Sequence, residues 1–200
     1  MIDMLSSMQK LALIPVLTFS AGFFISMVDP AIVLHEESYP EHLVGAFTGG
    51  FGEETCHSCH FDYDLNWDEG ELSVQGIPES IEEGKTYELE LIVTRDDMGK
   101  SGFQMTSRFK DGRQAGSFQI AENDRMMFTK QVPDSLEYLQ HSIKGTKPVE
   151  DGKISWAVVW EAPEKVSDVI YFNITSNAAN GDQSEFGDWI YTKEIVVLKK

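Results

Sequence analysis

Beyond residue 70 the chain repeatedly alternates apolar and polar residues, and a period of two confines it to strands. In "TYELELIVTRD", Tyr87, Leu89, Leu91 and Val93 point one way while Glu88, Glu90 and Thr94 point the other. In "KISWAVVWEAP", Ile154, Trp156, Val158 and Trp160 share a face, and "DWIYTKEIVVLKK" alternates again at the C-terminus. "SDVIYFNITSN" reads as largely apolar on both faces, as a central strand would. Shorter strands are expected at "ELSVQG", "GFQMTSRF", "QAGSFQIA" and "MMFTKQV", separated by turn signals such as "EEGK", "DDMGKSG" and "KDGRQ". Seven to nine short strands with no long amphipathic helix predict an all-β fold, an antiparallel β-sandwich over residues 71–200.

Composition supports a core of ordinary size: 42% of the 200 residues are apolar, among them 12 Phe, 6 Tyr and 4 Trp. Charge excludes one class of partner. With Lys+Arg 16 against Asp+Glu 33 the formal net charge is −17, a surface that repels nucleic acid and anionic lipid. Such acidity serves solubility, and it also steers towards a partner protein with a basic surface.

Residues 1–28 stand apart. Lys10 precedes an uncharged run over residues 11–28 that Asp29 and Pro30 close. The run is longer than a usual signal-peptide core and just long enough to span a bilayer. It reads as an N-terminal apolar helix, either a cleaved signal peptide or an uncleaved membrane anchor. Both send the remainder across the cytoplasmic membrane, to the periplasm, envelope or cell surface. Residues 29–54 form a polar lead-in with Pro30, Pro40 and the glycine cluster "GAFTGGFGEE".

The only two cysteines lie in "ETCHSCHFDYD", within a loop assigned to residues 55–70. Three chemistries suit Cys56, Cys59 and His60. A redox dithiol needs its first cysteine at a helix N-terminus after a strand, and the surroundings here are glycine-rich loop. Zinc needs four ligands, and with no second cysteine pair the rest would have to come from His57, His35, His42 or His141. Covalent haem needs two thiols three apart for the vinyl groups and an imidazole directly after the second, and all three are present in that order. The expectation is one covalent haem c, with Cys56 and Cys59 carrying the porphyrin and His60 as proximal iron ligand. His57 points away. His141 in "EYLQHSIKG" is the candidate sixth ligand, set against an ordinary packed or exposed histidine; Met105, Met126 and Met127 are weaker candidates. Trp67 is placed to cover a porphyrin edge.

Other motifs carry less. Asn180, Asp182, Glu185 and Asp188 in "NAANGDQSEFGDW" offer oxygen ligands, but their spacing suits a hairpin connection better than a calcium loop. "NIT" at Asn173 falls within a strand. No Ser/His/Asp set and no phosphate-cradling loop is present, so an electron carrier or binding module fits better than an enzyme.

The ordered fragments "GAFTGGFGEETCHSCHFDYDLN", "GFQMTS", "AGSF", "YLQHS", "ISWAVVWEAP", "VIYFNITSNAANGD" and "GDWIYT" resemble the Reeler-type domain. They are more similar still to its bacterial choice-of-anchor relatives, which carry a cysteine–histidine signature ahead of the sandwich. The resemblance covers roughly residues 45 to 192. It implies an immunoglobulin-like sandwich in an exported or envelope-associated protein, and it places His141 at the family's histidine position. It fixes no activity. Two functions follow as expectations: one-electron transfer at the cell envelope, or a surface adhesion-type module whose cysteine pair is structural. A haem enzyme or gas sensor with an open iron site is the third.

Overall fold

The computed structural model describes residues 45–200 apart from residues 68, 121–123, 131, 134 and 168. The apolar run 11–28, most of the lead-in, His35 and His42 therefore lie outside the described residues. Among those described, no helix is long and apolar enough to cross a membrane.

Ten strands form two sheets: β1 (Gly70–Gln75), β2 (Ser80–Ile81), β3 (Thr86–Arg95), β4 (Lys100–Phe109), β5 (Ser117–Gln119), β6 (Met126–Phe128), β7 (Leu139–His141), β8 (Lys153–Glu161), β9 (Ile170–Ala179) and β10 (Trp189–Lys199). One sheet has the order β1-β3-β8-β5 and the other β2-β10-β9-β4-β7-β6. All pairings are antiparallel except the short β2–β10 contact. The all-β sandwich expected from the alternation is the fold observed.

The alternation also specifies the register. Tyr87, Leu89, Leu91 and Val93 of β3 stand opposite Trp160, Val158, Trp156 and Ile154 of β8, so one face of the four-stranded sheet is apolar along its length. Against it pack Phe103, Met105 and Phe109 of β4 with Ile170, Phe172 and Ile174 of β9. Trp156 and Trp160 are almost wholly buried, and each indole N–H finds an acceptor: the Gly145 carbonyl at 3.0 Å and the Ser107 hydroxyl at 3.0 Å. Apolar bodies with satisfied polar tips are what makes tryptophan usable in a core. Met105 and Met126 are buried members of this core.

Two readings need correction. β2 and β7, of two and three residues, are too short to show a period and were not expected as strands. β9 is central, as expected, but its second face is polar rather than apolar. Asn173 and Thr175 on that face are buried, as are Gln104, Thr106 and Arg108 beside them on β4.

What covers this polar face is the end of the lead-in. The Phe47 amide donates to Gln104 Oε1 at 2.6 Å, and Gln104 Nε2 donates to the Gly45 carbonyl at 2.8 Å. Gly50 lies directly on Asn173: a Cβ there would meet the Asn173 side chain at 2.2 Å, so only glycine lets the loop approach this closely. Glu53 is the anchor. It accepts from Arg108 Nη2 at 2.5 Å, from the Tyr138 hydroxyl at 2.5 Å and from the Thr48 hydroxyl at 2.6 Å. Phe51 lies under the Arg108 guanidinium, 4.5 Å from ring centroid to Cζ, and meets Tyr171 edge-on.

Removing one member of a buried ion pair strands the other, at about 3–5 kcal/mol. Glu53→Ala is therefore expected to lower the unfolding free energy by an amount of that order, read as a lower urea midpoint at unchanged m, with Glu53→Gln falling between it and the native chain. Equal midpoints for Glu53→Ala and the native chain would show that the loop is not held by this contact.

Candidate functional site

Once residues 45–53 are laid across the sheet, the cysteine loop has little freedom. The bridge between Thr48 and Thr55 and the Gly49 N–H to Glu54 carbonyl bond close residues 48–55 into a tight loop. A 3-10 turn, Cys56–Ser58, follows, capped by Thr55 Oγ1, which accepts from the His57 amide at 3.2 Å. The turn brings Cys56, Cys59 and His60 onto the outer face of β9 and β4.

The segment after the turn is tied to β10 along the edge that β9 does not use. The Asn66 amide donates to the Ile190 carbonyl at 2.9 Å, and Asn66 Oδ1 accepts from the Thr192 amide at 2.8 Å. Asp62 Oδ2 accepts from the Gly187 amide at 2.7 Å. Tyr63 stacks on Trp189 with ring centroids 4.7 Å apart and planes at 13°, and Arg95 stacks with Trp189 at 3.4 Å. Trp67 takes no part in the cavity. It tilts against Tyr63 and is 47% exposed, which corrects its expected place over a porphyrin edge.

Cys56, Cys59, His60 and His141 line one cavity of about 330 Å³. Its walls come from the cysteine loop, the first half of β4, the end of β7, the end of β9 and the β9–β10 connection. The volume is at the small end of ligand and cofactor sites, which run from about 300 to 1,000 Å³. Residues 81 positions apart in sequence, His60 and His141, thus share a wall.

Each ring is held differently. His57 turns away from the cavity and Nε2 lies 2.8 Å from the Tyr63 carbonyl, so it braces the loop instead of facing solvent. His60 Nδ1 lies 2.8 Å from Oδ2 of Asp188, whose side chain is 1% exposed. That contact is short but bent, and Nδ1 has no well-aligned hydrogen-bond partner. His141 Nδ1 sits 2.9 Å from the Phe103 nitrogen and 3.0 Å from its oxygen. The imidazole there continues the β4–β7 pairing past the end of the strand. It rests on Gly102, where a Cβ would meet the ring at 2.4 Å. Burial holds His141 below the ordinary imidazole value, with the Phe103 backbone contact opposing.

Both cysteines are free thiols. Burial pushes the Cys56 thiol up to about 11, and a hydrogen bond with Thr175 acts the other way. A resolving thiolate at neutral pH needs the opposite, and the three-residue turn supplies no helix dipole to stabilise one. Among the described residues no group of three or more His, Cys, Asp and Glu side chains is arranged to hold a metal ion. Neither the dithiol nor the zinc reading gains support.

The β9–β10 connection resolves as a hairpin loop. The Asp182, Ser184 and Phe186 amides donate in turn to side-chain oxygens of Asn180, Asp182 and Ser184, a ladder of local turns that occupies these oxygens. Asp188 is the member that sequence reading misplaced: it leaves the ladder and faces the cavity. Only its position one residue before the strand hinted at that. Asn173, within "NIT", is buried and donates to Glu194, so it is no glycan acceptor.

No protein-family model matches the chain, and no curated protein does. Among solved structures it is similar to the Reelin-N domain of F-spondin, at 17% identity over 72% of this chain and 96% of that one, with a TM-score of 0.47. The human F-spondin reeler domain gives 18% identity over 70% and 95%, with a TM-score of 0.44. A cohesin module from Clostridium perfringens gives 15% over 66% and 98%, with a TM-score of 0.38. These likenesses carry no argument about function, which rests on the side chains.

Two measurements follow. In the free-thiol chain at pH 8, iodoacetamide should modify exposed Cys59 at least ~10-fold faster than half-buried Cys56, whose thiol burial raises to about 11; equal rates would mean that the Cys56 thiol is not held up in this way. Because the folded state disfavours protonated His141, the unfolded chain takes up that proton first on acidification. The stability it contributes is full above about pH 6.5 and is lost as pH falls towards the depressed folded value. The difference in stability between the native chain and His141→Gln should therefore change between pH 7 and 5; parallel profiles would place His141 in water.

Proposed function

We propose that this protein is an exported c-type haem protein that transfers single electrons at the cell envelope. One observation carries the reading: two thiols and an imidazole in the order Cys56, Cys59, His60 line the same cavity as the distant His141. The residues suit the group. Cys56 and Cys59 would hold it through thioethers, His60 would be the proximal ligand and His141 the candidate sixth ligand. When bound, haem supplies a one-electron couple.

The chain's own residues do the rest. Phe47 offers apolar wall, and the six-stranded sheet behind the cavity closes one side. The stacked Tyr63, Trp189 and Arg95 hold the segment that follows the thiols against β10. Two histidine ligands would favour a lower potential than a histidine–methionine pair, since a thioether stabilises reduced iron. Residues 11–28 would provide export and, if retained, a membrane anchor. From residue 45 to 84 the chain has no Lys or Arg, and the redox partner is proposed to be a protein with a basic surface.

The experiment is expression with a cytochrome maturation system. Sharp visible bands should survive acid-acetone extraction, and intact mass should rise by one haem. Cys59→Ser should lose the stable linkage. A colourless native chain of unmodified mass would sink the proposal and leave the adhesion-type module as the reading.

A further inference from the structure

We infer that Asp188 is a positioning residue for His60, which selects the imidazole tautomer and biases the site towards its oxidised state. The inference rests on the reading of His60 as an iron ligand for its second half only.

A buried carboxylate is costly unless it is held and used. Asp188 is 2% exposed, and both oxygens are held from the β9–β10 hairpin: Asn177 Nδ2 donates to Oδ2 at 3.1 Å and the Asn180 amide to Oδ1 at 3.2 Å. These two donors fix the carboxylate in place and leave Oδ2 2.8 Å from His60 Nδ1. A carboxylate oxygen that close repels a nitrogen lone pair, so the proton of neutral His60 stays on Nδ1. Nε2 is then the unprotonated nitrogen, the one a metal requires.

The same charge has a second consequence. A negative group against the far nitrogen of an axial imidazole raises its basicity and stabilises the more positive metal state. The sequence holds a separate hint of purpose. The side-chain ladder through Asn180, Asp182 and Ser184 bonds amides within the loop, whereas Asp188 holds the Asn180 amide with Oδ1 and keeps Oδ2 against His60.

Two measurements test this, one without haem. In the cofactor-free full chain, long-range proton–nitrogen NMR should report His60 as the Nδ1–H tautomer. Asp188→Ala should shift it to a mixture or to Nε2–H, while isosteric Asp188→Asn retains more Nδ1–H through its amide oxygen. An Nε2–H tautomer in the native chain overturns the inference, even if that chain proves colourless and the haem proposal fails separately. In the haem-loaded chain both substitutions should shift the equilibrium ~10-fold or more towards the reduced form, about 59 mV upward for a one-electron couple. Variants that melt earlier yet keep the native potential within ~2-fold would make Asp188 merely structural, which also overturns it.

Discussion

The outer face of the six-stranded sheet is polar and yet buried, and that constraint organises everything functional in this molecule. Gln104, Thr106, Arg108, Asn173 and Thr175 would lose hydrogen bonds to water without a partner layer. Glu137, Tyr191 and Glu194 meet Thr106, Thr175 and Asn173, while residues 45–53 meet Gln104 and Arg108, with Glu53 bonded to Arg108, Tyr138 and Thr48. Polar satisfaction is directional where apolar packing is not. The loop consequently has one seat, and the thiols and imidazole that follow it have one position relative to β4, β7 and β9.

From that seat the division of labour is plain. The apolar face between the sheets supplies stability, through side chains such as Trp156, Trp160 and Phe172 that recur at every second residue. The opposite face supplies a cavity. It forms where β7 ends and His141 Nδ1 meets the Phe103 backbone, and where the β9–β10 hairpin turns Asp188 inward. Reactive groups lie on loops and strand ends, while rigid ladders hold the background.

Local pattern made some features legible and hid others. β3, β8 and β10 are visible because several periods of alternation fit within each. β2 and β7 are not, because two or three residues carry no period. β9 deceived for a different reason: "YFNITSN" is dense in large apolar residues, and only its pairing shows that Tyr171, Asn173, Thr175 and Asn177 share one face. The ladder from Asn180 to Phe186 consumed oxygens that looked like metal ligands, because each bonds an amide two residues on. Trp67 was assigned to the cavity by nearness in sequence, and the stacking of Tyr63 on Trp189 leaves it outside.

By itself the sequence determined the sandwich, the facing of β3 and β8 and the chemical identity of the Cys56, Cys59 and His60 set. Those are local properties: a two-residue period and a three-residue spacing need no knowledge of what lies across the fold. Tertiary structure alone decided that His141 shares a cavity with that set, that Asp188 stands behind His60, and that residues 45–53 are a structural layer. Each of these joins residues far apart along the chain, and only the pairing of β4 with β7 and β9, and of β9 with β10, brings them within ångströms.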